Sequence, residues 1–354
     1  SAACGIVLWV LPLLLLLVSE EDEDMDHTEL WKYCTAADVR EMLLSLQLVD
    51  QSWPEPKQLA CLYAVSDHPS DHYYSCVIPK ANGTSRRLQV PDALLKGIQR
   101  NILHNCLETL PVSSSAMAYR PGLGVRSNGA AHVGQTQVLN LDILHFFDSI
   151  DFAQVYRWAF PESLYPPEIR GLLTSLCCYR GRLPQGAPTS PAISNLVMRE
   201  FDEAIGSWCK ERGIIYTRYC DDLTFSGAFA AGEVKQLAAR YLYRLGMTLN
   251  RQKTRLAFSH QRQLVTGVVV NAKVQTTRAY RRQLRQTLYY CRKWGLAEHL
   301  RHSGDTEYLP LGEAGLKRYA QTLLGQVNYV LQMSPEDNEF RQAAQWLKEI
   351  SKAY

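Results

Sequence analysis

Tyr219-Cys220-Asp221-Asp222 lies between two short strand-like stretches, residues 214–218 and 223–226, and its reading decides the fold. Two β-type runs joined by four polar residues form a hairpin with the acids at its tip. Adjacent carboxylates there repel each other and gain nothing from packing. A divalent cation would neutralise them, and hard oxygen donors point to Mg²⁺ rather than zinc. Taken alone, an Asp-Asp pair is also what a solvated acidic turn looks like. A third acid bears on the choice. Asp142 ends the apolar run 138–141 and leads into Ile143-Leu144-His145-Phe146-Phe147-Asp148. An acid that leaves an apolar strand straight into an aromatic pair is poor core design and favours a functional site. Three carboxylates on adjacent strand ends can hold two metal ions about 3.5–4 Å apart. One ion would lower the pKa of an attacking hydroxyl and the other would stabilise a pyrophosphate leaving group. Phosphoryl transfer of this kind rests on positioning and charge stabilisation.

Between these acids lies the loop Leu183-Pro184-Gln185-Gly186-Ala187-Pro188-Thr189-Ser190-Pro191. Gly186 and Ala187 would let a sugar or base approach the backbone closely. Gln185 can donate and accept hydrogen bonds, and Pro191 stiffens the start of a helix over 190–212. Upstream, residues 28–49 have helical spacing with Thr35 or Asp38 as N-cap. Residues 73–79 and 86–90 read as strands around an Asn82-Gly83 turn. Residues 91–110 read as an amphipathic helix with Leu94, Leu95, Ile98, Ile102 and Leu103 inward. Downstream, 264–270 reads as one β-branched strand, and from Thr277 the pattern is helical to the end. The order is α+β with a helical C-terminal lobe.

That lobe carries Arg278, Arg281, Arg282, Arg285, Arg292 and Lys293, with Tyr280, Tyr289, Tyr290 and Trp294 interleaved, and residues 277–294 hold no acid. Arginines beside aromatics suit phosphate contacts and base stacking, although a charge run is also what a solvated face looks like.

The 354 residues are 46 % apolar and 21 % charged, which excludes disorder, collagen and coiled coil. The formal charge of +3 hides an asymmetry. Six acids and no Lys or Arg fall within residues 1–26, so removing their −6 leaves +9 for the rest. A basic body suits a phosphate-rich partner. The ten cysteines show no zinc or redox spacing and read as reduced thiols of a cytoplasmic protein. No P-loop occurs, and Gly122, Gly124 and Gly129 are mis-spaced for a dinucleotide fingerprint. Residues 2–18 are apolar, but the run is short for a membrane span, contains Pro12 and lacks a basic leader. The stretch 1–26 reads as an upstream-translation artefact, the alternative being a weak anchor or a partner-binding helix.

Taken in order, these segments resemble the palm of reverse transcriptases. Leu141-Asp142…Phe146-Phe147-Asp148 is similar to their first carboxylate motif, and Pro184-Gln185-Gly186…Ser190-Pro191 to their nucleotide-pocket motif. Tyr219-x-Asp221-Asp222 resembles the paired-acid hairpin, and Asn250-x-x-Lys253-Thr254 the element that follows it. Two further segments resemble the retron type: Asn128-Gly129-Ala130-Ala131-His132, with Gly129 where Ala is usual, and Val265-Thr266-Gly267. The paired-acid motif has Cys220 where Ala is common. The likeness covers residues 73–300.

The resemblance implies a right-hand polymerase with fingers over 27–118, a palm over 119–271 and a helical, RNA-binding thumb over 272–354. It implies RNA-directed DNA polymerase activity in which Asp142, Asp221 and Asp222 bind two Mg²⁺ ions and Lys253 protonates pyrophosphate. The dNTP would meet Lys80, Arg86, Arg87, Gln185, Gly186 and Ala187, with Phe147 excluding a ribose 2′-hydroxyl. RNA contacts would fall on Asn128, His132, Val265, Thr266, Gly267 and the six basic residues of the thumb, although His132 also reads as a hydrogen-bonded scaffold residue. The implied partners are a structured retron noncoding RNA, its joined RNA–DNA product (msDNA) and an effector protein of unknown identity, in defence against phage. No membrane partner is expected. The alternatives are another bacterial defence-type or group II-like reverse transcriptase, or an RNA-binding scaffold that mainly sequesters an effector.

Overall fold

A computed structural model describes residues 31–79, 83 and 85–353. The stretch 1–26, Lys80 and Asn82 lie outside these residues. Helix α1 (Ala36–Ser45) opens on a capping box: Thr35 accepts from the Asp38 N–H and Asp38 accepts from the Thr35 N–H. After α2 (Glu55–Asp67), strands β1 (Tyr73–Pro79) and β2 (Ser85–Pro91) form an antiparallel hairpin, with Gly83 in the left-handed region within the connection. Helix α3 (Ala93–Ile102) is capped by Asp92, buries Leu95, Ile98 and Ile102, and runs into one π-helical turn, Leu103–Leu107. Leu94 is exposed rather than inward, because it sits in the first turn at the rim of that stripe.

Helix α4 (Val125–Ala131) precedes β3 (Gln137–Asp142), and the short α5 (Phe146–Ser149), α6 (Phe152–Trp158) and α7 (Pro167–Cys177) follow. The helix expected over 190–212 is two, α8 (Ser190–Val197) and α9 (Arg199–Glu211), which meet at Met198. Strands β4 (Ile215–Tyr219) and β5 (Asp222–Gly227) form the acidic hairpin, and α10 (Ala231–Arg244) and β6 (Arg255–Phe258) complete this region. The four strands make one antiparallel sheet in the order β4-β5-β3-β6. As an interior strand, β3 is buried almost throughout, which accounts for apolar Val138, Leu139 and Leu141, with Asn140 the one half-buried residue.

The single strand expected over 264–270 is a tight hairpin of β7 (Leu264–Val265) and β8 (Val268–Val269). Thr266 and Gly267 both have positive φ, the mirror-image turn whose twist matches paired strands. The C-terminal lobe is helical as expected: α11 (Arg278–Trp294), α12 (Leu296–His302), α13 (Gly312–Met333) and α14 (Asn338–Ala353).

Among the described residues three apolar cores hold these parts. The largest joins buried residues from Leu43 to Met247 in one cluster. The C-terminal lobe has its own core, from Leu284 on α11 to Leu347 on α14. A small third core joins Val138 of β3, Val265, Val268 and Val270 of the short hairpin, and Met333 at the end of α13. Among the described residues no helix is long and apolar enough to cross a membrane.

Candidate active site

The register of the sheet brings the acids together. Asp142 is the last residue of β3 and pairs directly with Asp222, the first of β5. The Ile143 N–H donates to the Asp221 carbonyl at 3.0 Å, and the Asn250 N–H to the Asp142 carbonyl at 2.7 Å. The turn between β4 and β5 is therefore only Cys220 and Asp221, shorter than the four residues expected, because Tyr219 and Asp222 already belong to the ladder. Asp142 is buried. Burial, then the charges of Asp221 and Asp142, push the Asp222 carboxyl up to about 7. Two or three carboxylates that cannot all ionise comfortably together are stabilised by a cation.

The structure already places one there. Lys253, in the turn Arg251–Lys253, sets its Nζ 2.6 Å from Asp142 Oδ2, and that bond raises its own pKa. Asn250 caps this turn by accepting from the Gln252 N–H, so the Asn-x-x-Lys spacing aims the lysine. The all-oxygen donors and the excess negative charge fit Mg²⁺. Among the described residues no three His, Cys, Asp or Glu side chains make a preformed cation cage. Mg²⁺ usually combines one or two carboxylates with substrate phosphate oxygens rather than filling such a cage.

The loop 183–191 meets the β1–β2 hairpin. The Gln89 N–H of β2 donates to the Gln185 carbonyl at 2.9 Å, and Ser190 Oγ closes the loop onto the Pro184 carbonyl at 2.6 Å. The fold gives Gly186 a reason of its own. At φ +130°, a Cβ there would lie 2.7 Å from the Gln89 carbonyl oxygen, so the close approach of β2 by itself requires glycine. Ala187 is buried, which leaves its side chain no open face for a substrate. Arg86 and Arg87 are exposed on β2, tied to the loop through Gln89. Phe147 is half-buried, edge-on to Phe146 at 5.4 Å.

Four residues expected to meet RNA are engaged within the protein, His132 in the hydrogen-bonded scaffold place that its residue type also suggested. Asn128, His132 and Val265 are fully buried, and the hydroxyl of the half-buried Thr266 is engaged by Asn128. Asn128 Nδ2 donates to Thr266 Oγ1 at 3.2 Å, and its Oδ1 accepts from Thr217 Oγ1 at 2.6 Å. Thr217 Oγ1 in turn accepts from His132 Nε2–H at 2.8 Å, and His132 Nδ1 accepts from Ser226 at 2.6 Å. Burial pushes the His132 pKa down to about 4, so the ring is neutral and this tautomer satisfies every member. The chain of bonds links α4, β4, β5 and the β7–β8 turn. Gly129 belongs to the same joint, since a Cβ there would stand 2.9 Å from the Val268 side chain. Only Gly267 of this group is exposed.

The basic helix α11 is not without acids. Arg281 pairs with Asp337, and Arg285 donates to Glu339 at 2.7 Å, both acids coming from the start of the last helix or just before it. Both guanidinium groups also lie against Phe340, and Arg292 lies over Trp346 at 5.0 Å. Arg278, Arg282, Arg292 and Lys293 are exposed. The expected row of six uncompensated cations is thus divided, with two already ion-paired inside the lobe.

Sequence reasoning passed over Arg218. This fully buried residue of β4 forms a bidentate pair with the equally buried Asp202 of α9, with Nη2 2.6 Å from Oδ2 and Nε 2.9 Å from Oδ1. The available signal was an arginine closing an apolar strand two residues before Cys220.

The sheet that aligns Asp142 with Asp222, together with the helical C-terminal lobe, belongs to a right-hand polymerase. Residues 78–287, more than half of the chain, match the family described as reverse transcriptase (RNA-dependent DNA polymerase), and the chain belongs to that family. Within it, the chain is a retron-type reverse transcriptase. It is 37 % identical over 237 residues to the Retron Mx65 reverse transcriptase of Myxococcus xanthus, covering 62 % of this chain and 56 % of that protein. It is 31 % identical over 244 residues to the Retron Ec86 reverse transcriptase of Escherichia coli, covering 66 % and 75 %. The match thus spans little more than half the length of the first relative. Among solved structures, telomerase from Candida albicans aligns over 78 % of this chain and 63 % of its own, with a TM-score of 0.40 and 10 % identity.

Proposed function

We propose that this protein catalyses RNA-directed DNA synthesis from dNTPs, copying a retron noncoding RNA into a joined RNA–DNA molecule. The observation that carries the reading is the register pair Asp142–Asp222 beside Asp221, where burial and mutual repulsion leave charge for a cation to neutralise. Asp142, Asp221 and Asp222 would hold two Mg²⁺ ions, which supply activation of the attacking hydroxyl and stabilisation of the pyrophosphate. Lys253 is 60 % exposed, so its ammonium is free to swing from Asp142 and give a proton to the leaving group. Phe147 would wall the sugar, and Arg86, Arg87 and Gln185 would meet the triphosphate and base. The same reading divides the chain into fingers (27–118), palm (119–271) and an RNA-binding thumb (272–354). The separate C-terminal core supports the last boundary. On this reading the protein acts in the cytoplasm, as its cysteine usage suggests, and works with an effector protein in phage defence, as the retron-type resemblance implies.

The test is incorporation of labelled dNTPs by the purified protein on its co-purifying RNA, with and without EDTA. Metal-dependent DNA synthesis that Asp221→Asn abolishes supports the reading. Tight RNA binding with no incorporation under any condition would replace it with the scaffold alternative.

A further inference from the structure

The acidic turn is held from both sides by side chains other than the three acids. Cys220, at the first position of the two-residue turn, has φ +59°, a region that L side chains rarely adopt. Its carbonyl accepts from Arg218 Nη1 at 3.1 Å, and its Sγ accepts from the Tyr119 hydroxyl at 3.2 Å. Tyr119 is itself left-handed, at φ +61°. The two strained residues are joined a second way. Asn195 of α8 donates from Nδ2 to the Ala118 carbonyl at 2.9 Å, just before Tyr119, and accepts at Oδ1 from Arg218 Nη2 at 3.1 Å. Hydrogen bonds and backbone thus close a ring through Arg218, Cys220, Tyr119, Ala118 and Asn195. Asp202 anchors the ring from below and also accepts from the Tyr216 hydroxyl at 2.7 Å. Arg218 and Asp202 are fully inaccessible, and Asn195 nearly so.

A buried ion pair is a poor way to gain stability, because desolvation consumes most of the attraction. Its value here lies in direction. A guanidinium has a rigid fork of donors, so one arginine can hold Asp202, Asn195 and the Cys220 carbonyl at once. We propose that the buried Asn195–Asp202–Arg218 cluster, with Tyr119 as its surface-side clamp, is a positioning device for the acidic turn. It holds the Cys220–Asp221 peptide in its strained conformation and so sets the direction in which the Asp221 carboxylate is presented. In this role they act through Asp221 and not as ligands of the metal. The inference rests on the reading of the three acids as a cation site.

The test compares the parent with Arg218→Lys, Tyr119→Phe, and each combined with Cys220→Gly. Two quantities are read: Mn²⁺ affinity by electron paramagnetic resonance, and kcat with its Mg²⁺ dependence on a primed RNA template. Lysine keeps the charge beside Asp202 but cannot reach all three partners. Arg218→Lys is expected to weaken Mn²⁺ binding, raise the Mg²⁺ needed for half-maximal rate, and lower kcat about 10²-fold, as a misplacement of about 1 Å does. The KM for primed template should stay unchanged. Tyr119→Phe keeps the ring and the fold, and is expected to move the same quantities severalfold. Cys220→Gly, which adopts positive φ without strain, should restore part of each loss. Parent-like Mn²⁺ affinity and Mg²⁺ dependence in folded Arg218→Lys would overturn the proposal. If that variant does not fold, parent-like values in Tyr119→Phe would overturn it. A parent that binds Mn²⁺ but incorporates no dNTP would sink the polymerase reading instead, leaving the positioning claim to the Mn²⁺ data.

Discussion

The palm sheet and the C-terminal lobe both pair arginines with aspartate or glutamate, to opposite ends. Under the acidic turn, Arg218 and Asp202 have no exposed side-chain surface, and each oxygen or nitrogen that faces inward has a fixed partner. In the lobe, the Arg285–Glu339 side chains are 42 % and 55 % exposed. A pair open to solvent contributes little, typically under about 1 kcal/mol, so a competing phosphate can take its arginine. A sealed pair cannot be exchanged without unfolding its surroundings. The palm pair is sealed, whereas the lobe holds one pair open to solvent, Arg285–Glu339, and one largely enclosed, Arg281–Asp337, at 19 % and 13 % exposure.

The largest effect should come from the acids themselves. Asp221→Asn should cut DNA synthesis by about 10³-fold or more, since losing one charged ligand removes several kcal/mol of transition-state stabilisation. Thermal stability should hold or rise, because a repulsion disappears. Synthesis within tenfold of the parent would remove Asp221 from the site. Next in size is a direct contest between the two kinds of pair. Arg218→Met should cost about 3–5 kcal/mol in urea unfolding, because Asp202 is left buried and uncompensated. Arg285→Gln should cost about 1 kcal/mol or less. Equal losses would erase the distinction drawn between palm and lobe.

The lobe can be divided further by salt. Arg278→Gln with Arg282→Gln should flatten the log–log salt dependence of RNA affinity by about 1.4, at about 0.7 per phosphate on a single strand. Arg281→Gln with Arg285→Gln should flatten it less, since each cation leaves an acid when it meets a phosphate. Equal flattening would mean that the intramolecular pairs offer no resistance. The smallest effect concerns pH. Asp222 has its folded pKa raised from 3.8 to about 7, so its ionisation costs the folded state stability. In EDTA the Tm of the parent should fall relative to Asp222→Asn as pH rises through that interval, and the gap should level off above it. Saturating Mg²⁺ should narrow the gap. A gap independent of pH would mean that Asp222 is not crowded by its neighbours.

Much of this was legible from residue order alone. Strand alternation and the Asn82-Gly83 signal located the β1–β2 hairpin to within a residue, and the acids announced themselves by standing where packing has no use for them. Such cues are local: a run of residues states its own period, its turn chemistry and which face it turns inward. The amino-acid sequence by itself therefore determined the β1–β2 hairpin and the helical character of the C-terminal lobe, and it singled out the acids; the polymerase class came from the likeness of its ordered motifs to reverse transcriptases. What stands opposite a buried face depends on the path of the rest of the chain, and only the tertiary structure decided that. Asn128 and Thr266 are 138 residues apart and share a hydrogen bond, and Arg281 finds its acid 56 residues away. Only the fold shows that β2 runs against Gly186, and only the closure of β4 and β5 around both ring nitrogens shows which partners His132 has. A side chain's chemistry is written at its own position, but its partner is chosen by packing across long loops, where no periodicity carries the information.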